Sequence, residues 1–286
     1  MARLFICPLA GLVVRTCALA LAAALSPVTL AGDCPRFSGE LQQGGFIWGR
    51  VPPGSVVTLD ARSLDVLANG TTFAGFGRDA PATAQLVVKG PSACSETLQV
   101  APRQYNIQRI EGVPAATVNP PQEQLDRIRR EGAMVKTARA RRLERPDLLA
   151  SVLAGFVWPV EGPISGVYGS QRYYNGEPRR PHFGVDVAAP EGAAVRAPAA
   201  GVVTLAQPDL FFSGGTVILD HGFNVSSTFM HMSEVRVQAG DELQPGDIIG
   251  AVGATGRATG PHLDWRMNWR EVRIDPQLLA PAMPKP

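Results

Sequence analysis

The stretch Pro181-His-Phe-Gly-Val-Asp-Val-Ala-Ala-Pro190 places an imidazole and a carboxylate four residues apart, between turn-forming residues. A helix is unfavourable here because a proline and a glycine interrupt it. In an extended strand, residues four apart point to the same side, so His182 and Asp186 can reach one cavity. The stretch therefore predicts a β-strand that carries two polar, chemically active side chains on one face.

A second stretch, His262-Leu-Asp264, shows the same alternation at a spacing of two residues. A third imidazole, His231, lies between Met230 and Met232, which we expect to face the core. All the histidines of the chain lie in its last 105 residues. This concentration indicates a shared site rather than scattered structural use.

Neutral imidazole and carboxylate are ligand types that hold Zn²⁺, and three protein ligands with one open position make a hydrolytic site. The remaining histidine, His221, sits at an apparent hairpin turn and is interpreted as structural.

Residues 1–31 have the pattern of a secretory signal. Arg3 and Arg15 supply positive charge, residues 17–25 form a short apolar core, and small residues precede Gly32. The uncharged run that contains the core has 17 residues, which is shorter than the ~20 needed to span a bilayer. A retained membrane anchor is the alternative. After cleavage we expect no stable membrane span.

The net charge and the cysteines bear on the partners of the protein and on its disulfide bonds. The formal net charge is +2, and removal of the signal, which contains two arginines and no acidic residue, leaves a net charge of zero. A neutral chain argues against nucleic acid as a partner. Two cysteines, Cys34 and Cys94, remain after the signal, and an exported compartment allows them to pair. We expect this disulfide to form.

Residues 32–105 contain short alternating runs separated by glycine and proline turns, such as 44–50, 56–59 and 84–88. Regular short strands of this kind predict a small β-sandwich. The segment has no histidine and no cluster of acids, so we expect a spacer or substrate-contacting role.

Residues 106–155 are predicted to form a linker and an arginine-rich helix, which runs from Glu123 to about Arg142. Seven arginines lie between Arg127 and Arg145. Two interpretations stay open: a solvated helix face with ion pairs, or an arm that contacts an anion. The expected apolar stripe consists of Leu125, Ile128, Met134, Val135 and Ala138.

Residues 156–286 change pattern again, with glycine-rich turns between strand candidates at 195–198, 201–205, 216–219, 225–230 and 248–252. The fold class is therefore predicted to be mainly β, with a C-terminal antiparallel β domain that contains every histidine. Its glycine-rich repeats are similar to those of biotinyl and lipoyl carrier domains. That interpretation fails because no lysine of the chain lies on a strand pair here.

The chain closely resembles the lysostaphin/LytM-type zinc metallopeptidases, the M23-like peptidoglycan endopeptidases, in four segments that occur in the same order. These are Val167–Arg172, Pro181–Pro190, Phe229–Ser233 and Gly253–Trp265. The resemblance covers roughly residues 156–276. It implies an antiparallel β groove domain of barrel-sandwich hybrid type and one Zn²⁺ ion. It also implies hydrolysis of peptide crosslinks in bacterial peptidoglycan, with peptidoglycan peptide stems as partners. The protein is expected to be exported to the periplasm or cell envelope.

Carried over by position, the resemblance makes His182 and Asp186 the first two zinc ligands, and His231 and His262 catalytic residues. His262 would be the general base and His231 would stabilise the oxyanion, although these roles could be exchanged. The third ligand position holds Asp264, where the family has a histidine. Zinc also accepts carboxylate oxygen.

Two aspartate ligands would neutralise Zn²⁺, so a less acidic bound water and a more alkaline pH–rate profile are expected. Asp264 also keeps an alternative open, in which a catalytically impaired relative binds peptidoglycan or activates a cell-wall amidase. Arg172 is a candidate for contact with substrate carboxylates, or else it forms a surface ion pair.

Overall fold

Antiparallel β-strands dominate the computed structural model of the protein, which describes residues 34–112 and 122–284. The predicted signal segment, residues 1–31, lies outside these residues. The mainly β fold class predicted from the sequence is confirmed.

The N-terminal region contains two small sheets that share one hydrophobic core. Strands β1, β2 and β5 pair in the order β1-β2-β5, and the second sheet has the order β4-β3-β6-β7. Phe46 and Phe73 of the first sheet and Leu86 of the second are at most 1% exposed. The disulfide between Cys34 and Cys94, expected from the sequence, ties the start of the region to β7. The strands are β1 (Phe37–Gly39), β2 (Phe46–Arg50), β3 (Val56–Leu59), β4 (Arg62–Ser63), β5 (Thr71–Gly75), β6 (Thr83–Lys89), β7 (Cys94–Gln99) and β8 (Ile107–Ile110).

Two helices follow in the described part of the chain. A 3-10 turn at Gln122–Gln124 leads into α1 (Leu125–Ala140), close to the predicted bounds. Ala138 and Val135 pack against buried residues of the large sheet, whereas Met134 of the predicted apolar stripe is 40% exposed. The short helix α2 (Pro146–Leu153) was not predicted from the sequence.

The C-terminal region is built on an eight-stranded antiparallel sheet. Its order is β18-β14-β15-β16-β20-β12-β9, and β21 pairs with β20 outside this path. The sheets do not close into a barrel. The strands of this region are β9 (Ile164–Gly166), β10 (Gln171–Tyr174), β11 (Glu177–Pro178), β12 (Val185–Ala188), β13 (Ala194–Arg196), β14 (Gly201–Leu210), β15 (Gly214–Asp220), β16 (Val225–Met232), β17 (Glu234–Val235), β18 (Glu242–Leu243), β19 (Ile248–Ala251), β20 (His262–Trp269) and β21 (Val272–Ile274), and a 3-10 turn follows at Pro276–Leu278.

Strand β20 has one apolar face and one polar face, and this alternation positions the candidate site. Trp265, Met267 and Trp269 are at most 1% exposed and belong to the main core. Because successive side chains of a strand point to opposite faces, Asp264 and Arg266 lie on the other side of the sheet.

The N-terminal sheets contact the large sheet directly. The rings of Phe73 and Phe223 lie 6.2 Å apart, and Arg103 forms an ion pair of 2.9 Å with the buried carboxylate of Asp275. Strand β8, which falls within the predicted linker, pairs in parallel with β10. The segment predicted to be a linker therefore contributes a strand to the C-terminal region.

Candidate metal centre and active site

Strands β12 and β20 are neighbours, and their register brings the two sequence motifs together. Asp186 lies opposite Asp264, and Ala188 lies opposite His262. Residues that face each other across an antiparallel pair project to the same side of the sheet. His182 lies just before β12 and reaches the same point, with Nε2 3.2 Å from Oδ1 of Asp186 and Nδ1 3.9 Å from Oδ2 of Asp264.

The ligand atoms of His182, Asp186 and Asp264 lie within 4.8 Å of one another, so the three side chains could hold one metal ion. Their chemistry supports this. Nε2 of His182 and Oδ1 of Asp186 are buried and face each other, yet neither has a hydrogen-bond partner among the described residues. Buried polar atoms are normally paired. A cation between an imidazole lone pair and a carboxylate oxygen would satisfy both atoms, so the residues present fit a zinc ion.

Asp264 has an additional partner that the sequence analysis did not identify. Nε of Arg266 donates to Oδ1 of Asp264 at 2.9 Å, and Nη2 donates to Oδ2 at 2.6 Å. Gly184 leaves room for this pair, because a Cβ there would lie 2.6 Å from Cγ of Arg266 and 2.7 Å from Oδ1 of Asp264. The signal in the sequence is the spacing of two residues, which places Arg266 on the same face of β20 as Asp264.

The ion pair controls the charge of Asp264. Burial opposes its ionisation, but the guanidinium of Arg266 outweighs burial and holds the pKa of Asp264 below its usual value. Asp264 thus stays a carboxylate. Its oxygens each have further lone-pair capacity, so contact with Arg266 still allows one of them to bind a metal.

Arg266 adds a charge that the expectation of a more alkaline pH–rate profile did not include. Two aspartates would neutralise Zn²⁺, but the guanidinium bonded to Asp264 restores one positive charge to the site. The overall charge is then the same as for two histidines and one aspartate. The expected alkaline shift of the pH–rate profile did not include this group, and it stays a prediction that a pH–rate measurement would decide.

His231 and His262 lie side by side, with ring centroids 4.8 Å apart. Nδ1 of His231 lies 2.8 Å from the carbonyl oxygen of Thr255, and Nδ1 of His262 lies 2.8 Å from that of Gly260. Because a carbonyl oxygen only accepts hydrogen bonds, each Nδ1 carries a proton. When such a ring is neutral, its Nε2 carries a lone pair.

The backbone conformation of His231 determines the orientation of its side chain. Its φ of 65° lies in the left-handed region, which is uncommon for residues other than glycine. This residue interrupts the alternation at the end of β16. Met232 joins the main core, but Met230 lies opposite Asp264 on the polar side of the sheet. Both methionines are buried, but they lie on opposite sides of the sheet, because the positive φ at His231 breaks the strand period between them.

Two other candidates have structural contacts. His221 is fully buried, and its ring nitrogens lie 2.7 Å from the carbonyl oxygen of Ala200 and 2.9 Å from Oγ of Ser227. Neither nitrogen is left for a metal, which agrees with the structural interpretation. Nε of Arg172 donates to Oε1 of Gln108 on β8 at 3.1 Å.

The part of the chain that carries this candidate site is similar to known peptidases. Residues 180–276 match Peptidase family M23, and they include the five candidate metal-binding and catalytic residues but not Arg172. The DD-carboxypeptidase/endopeptidase Mpg of Neisseria meningitidis serogroup B is 40% identical over 110 residues, which is 37% of this chain and 24% of the relative. The peptidoglycan DD-endopeptidase ShyA of Vibrio cholerae is 36% identical over 87 residues, which is 30% of this chain and 20% of the relative.

A solved structure, that of a candidate M23 peptidase from Pseudomonas aeruginosa, superposes with a TM-score of 0.62 at 29% identity. The match covers 84% of this chain and 95% of that one. The chain spans about a quarter or less of the length of the curated relatives named above. Residues 180–276 thus match the peptidase M23 family, and the resemblance predicted from the sequence is confirmed for this part of the chain.

Proposed function

We propose that the protein is a zinc-dependent endopeptidase that hydrolyses peptide crosslinks of bacterial peptidoglycan. The observation that carries the proposal is the convergence of His182, Asp186 and Asp264, with two buried ligand atoms that lack hydrogen-bond partners in the described structure. The M23 domain and relatives named as peptidoglycan endopeptidases support the reaction class.

Zinc, when bound, would polarise the scissile carbonyl group and lower the pKa of a bound water. His182 and Asp186 would hold the ion through their free ligand atoms, and Asp264 through an oxygen that also accepts a hydrogen bond from Arg266. Arg266 fixes the orientation of Asp264, as outer residues commonly do for metal-binding carboxylates.

The paired histidines would move protons. Burial lowers the pKa of His231, although its hydrogen bond to Thr255 opposes the shift, so this ring is neutral at pH 7. With Nδ1 committed to a carbonyl oxygen, neutral His231 can accept a proton at Nε2 but cannot donate one there. This supports the exchanged assignment, with His231 as the general base. His262 also donates from Nδ1 to a carbonyl oxygen, so it could act on the oxyanion only as the doubly protonated imidazolium.

Export to the periplasm or cell envelope is part of this proposal, since its substrate lies there. The support is the signal-like sequence of residues 1–31. In the part of the chain that the structure describes, no helix has both the length and the apolar character required to cross a membrane.

Digestion of purified sacculi, with products identified by mass spectrometry, tests the proposal. Wild-type protein is expected to release cleaved crosslinks, and a chelator should stop the reaction until zinc is restored. His182→Ala should lose both zinc and activity, whereas His231→Ala should retain zinc and lose rate. Full activity in His182→Ala would overturn the assignment.

A second function is favoured by one observation, the occupation of both Asp264 oxygens by Arg266. If this pair prevents metal binding, the domain would act as a non-catalytic peptidoglycan binder or an amidase activator. Elemental analysis separates the two functions. Protein that binds sacculi without retaining zinc and without releasing products supports the second.

A further inference from the structure

Several arginines converge on the polar side of the large sheet, next to the metal-binding residues. Arg266 lies opposite Thr228 across the β16–β20 pair, and Nη2 of Arg139 donates to Oγ1 of Thr228 at 3.2 Å. Arg139 therefore reaches from helix α1 to the strand position that faces Arg266. We call Arg139, Arg180, Arg266 and Arg273 the arginine cluster.

Arg273 joins the cluster from β21. It lies opposite Asn268, and its Nη1 donates to Oδ1 of Asn268 at 2.9 Å. Asn268 and Arg266 are two residues apart on β20 and share its polar face. Arg180 approaches from the segment before His182, with its guanidinium 5.7 Å from the ring centre of Phe183.

The packing of α1 holds Arg139 in this position. Ala138 and Val135 pack against Leu205, Leu210 and Ile218 on β14 and β15. This contact is apolar and fixes the helix on the sheet. Arg139 is consequently held over β16 by the helix packing, rather than extending freely into solvent.

The cluster carries more positive than negative charge. Arg266 is paired with Asp264, and the exposed carboxylate of Glu271 offsets part of the charge on Arg139 and Arg273. Burial, together with the neighbouring guanidinium groups, lowers the pKa of Arg139 to about 10 and that of Arg273 to about 9. Nε of Arg139 is buried and has no hydrogen-bond partner within the described residues.

Such a concentration of half-buried guanidinium groups, with a donor left unsatisfied, is suited to an anion. Guanidinium groups match the planar geometry of a carboxylate in particular, because their N–H groups form a rigid fork. The cluster adjoins Asp264 through Arg266, so a peptide that reaches the metal-binding residues would bring its own carboxylate near these arginines.

We propose that the arginine cluster is a subsite for a free carboxylate of the peptide substrate. This deepens the proposed function and rests on it. Arg139, Arg180 and Arg273 would contact the carboxylate, while Arg266 remains bonded to Asp264 and adds positive charge. The enzyme would then prefer crosslinked peptides with a free carboxylate next to the scissile bond over the corresponding amides.

Binding to metal-free protein tests the subsite without catalysis. The probes are N-acetyl-D-alanyl-D-alanine, which has a single carboxylate, and its C-terminal amide, both titrated by NMR at constant ionic strength. The acid should bind wild-type protein about tenfold more tightly than the amide. This preference should fall towards one in Arg139→Gln and in Arg273→Gln.

Arg129→Gln is the matched control, because Arg129 lies on the same helix and forms only an exposed ion pair with Asp126 in the described structure. This variant loses the same charge and should keep the preference. Equal binding of acid and amide to wild-type protein would overturn the proposal, and so would an unchanged preference in both cluster variants. Binding of inorganic phosphate without any acid-over-amide preference would indicate a site for free anions and would also overturn it.

Cleavage kinetics separate this proposal from the proposed function. On crosslinked peptides with a free carboxylate, Arg139→Gln and Arg273→Gln should lower kcat/KM about tenfold, mainly through KM, with little change on amidated substrates. If wild-type protein cleaves nothing yet prefers the acid through these arginines, the subsite stands and the proposed function fails. If wild-type protein cleaves crosslinks but shows no preference for the acid, the proposed function stands and the subsite fails.

Discussion

The ion pair between Asp264 and Arg266 leads to a prediction that runs against the usual effect of mutating a metal centre. The side chains of Arg266 and Asp264 are 21% and 4% exposed, so Arg266→Met would leave a buried carboxylate without its partner. Removing one partner of a buried ion pair costs about 3–5 kcal/mol of folding free energy. We therefore expect metal-free Arg266→Met to be less stable by about 3 kcal/mol.

Zinc should reverse much of this loss, because the metal would then be the main charge partner of Asp264. If zinc relieves half of a 3 kcal/mol penalty, about 1.5 kcal/mol is added to the binding free energy, or roughly a tenfold higher affinity. Arg266→Met should thus bind zinc more tightly than wild-type protein while being less stable without it.

Two measurements check this prediction: urea unfolding of the metal-free proteins, and zinc affinity by competition with a fluorescent chelator. Arg236→Met is the control, since Arg236 forms an exposed ion pair with Glu234, and neither quantity should change. Arg266→Lys keeps the charge without the forked geometry and should fall between wild type and Arg266→Met. A folded Arg266→Met that binds zinc no more tightly than wild type would refute the reasoning.

Three further predictions concern pH and the disulfide. Burial lowers the pKa of His221 from 6.5 to about 4, so roughly 3 kcal/mol of folding stability is lost as the pH falls from 6.5 to 4. Burial also raises the pKa of Asp220 from 3.8 to about 6, which adds roughly 3 kcal/mol of folding stability over a similar fall in pH. The two effects should nearly cancel in wild-type protein, so Asp220→Asn should lose about 3 kcal/mol more unfolding free energy than wild type between pH 7 and pH 4. Urea unfolding measures this, and plots of unfolding free energy against pH that run parallel for the two proteins would contradict it. If His231 is the base, its lowered pKa should place the acid limb of the kcat/KM profile below pH 6.5, and a limb centred above that value would exclude it. Cys94→Ser opens a loop of 60 residues and should reduce the unfolding free energy by about 4 kcal/mol, whereas an unchanged urea midpoint would show that the bridge does not stabilise the fold.

The strands and the grouping of ligands could be predicted because both depend on a period of two residues. Along β20, alternation predicted that His262 and Asp264 share a face. The strand predicted to carry both His182 and Asp186 begins only at Val185, so His182 reaches Asp186 from the segment before the strand. The register of β12 against β20 then brings the two carboxylates opposite each other. The missed helix α2 is short, and its buried residues Leu148, Leu149 and Val152 span little more than one turn, which is too little for a periodic signal.

Features that depend on an unusual backbone dihedral, or on a side chain that only the folded sheet brings close, could not be predicted from the period of two. The orientation of His231 depends on a positive φ, which breaks the strand period between Met230 and Met232. The charge of the site depends on Arg266, and the space for that side chain is provided by Gly184 on the neighbouring segment. On the arginine-rich helix, Arg127 and Arg129 form ion pairs at the surface, as the first of the two open interpretations expects. Arg139 instead faces the sheet, and contact of this helix with an anion stays a prediction.

The most direct test of the account is the zinc content of purified protein after loading and removal of excess metal, measured by elemental analysis on wild type and His182→Ala. The account predicts one zinc ion per chain in wild-type protein and almost none in the variant, with both proteins folded by circular dichroism. Wild-type protein without zinc, or a variant that keeps a full equivalent, would contradict the assignment of His182, Asp186 and Asp264 as the metal-binding residues.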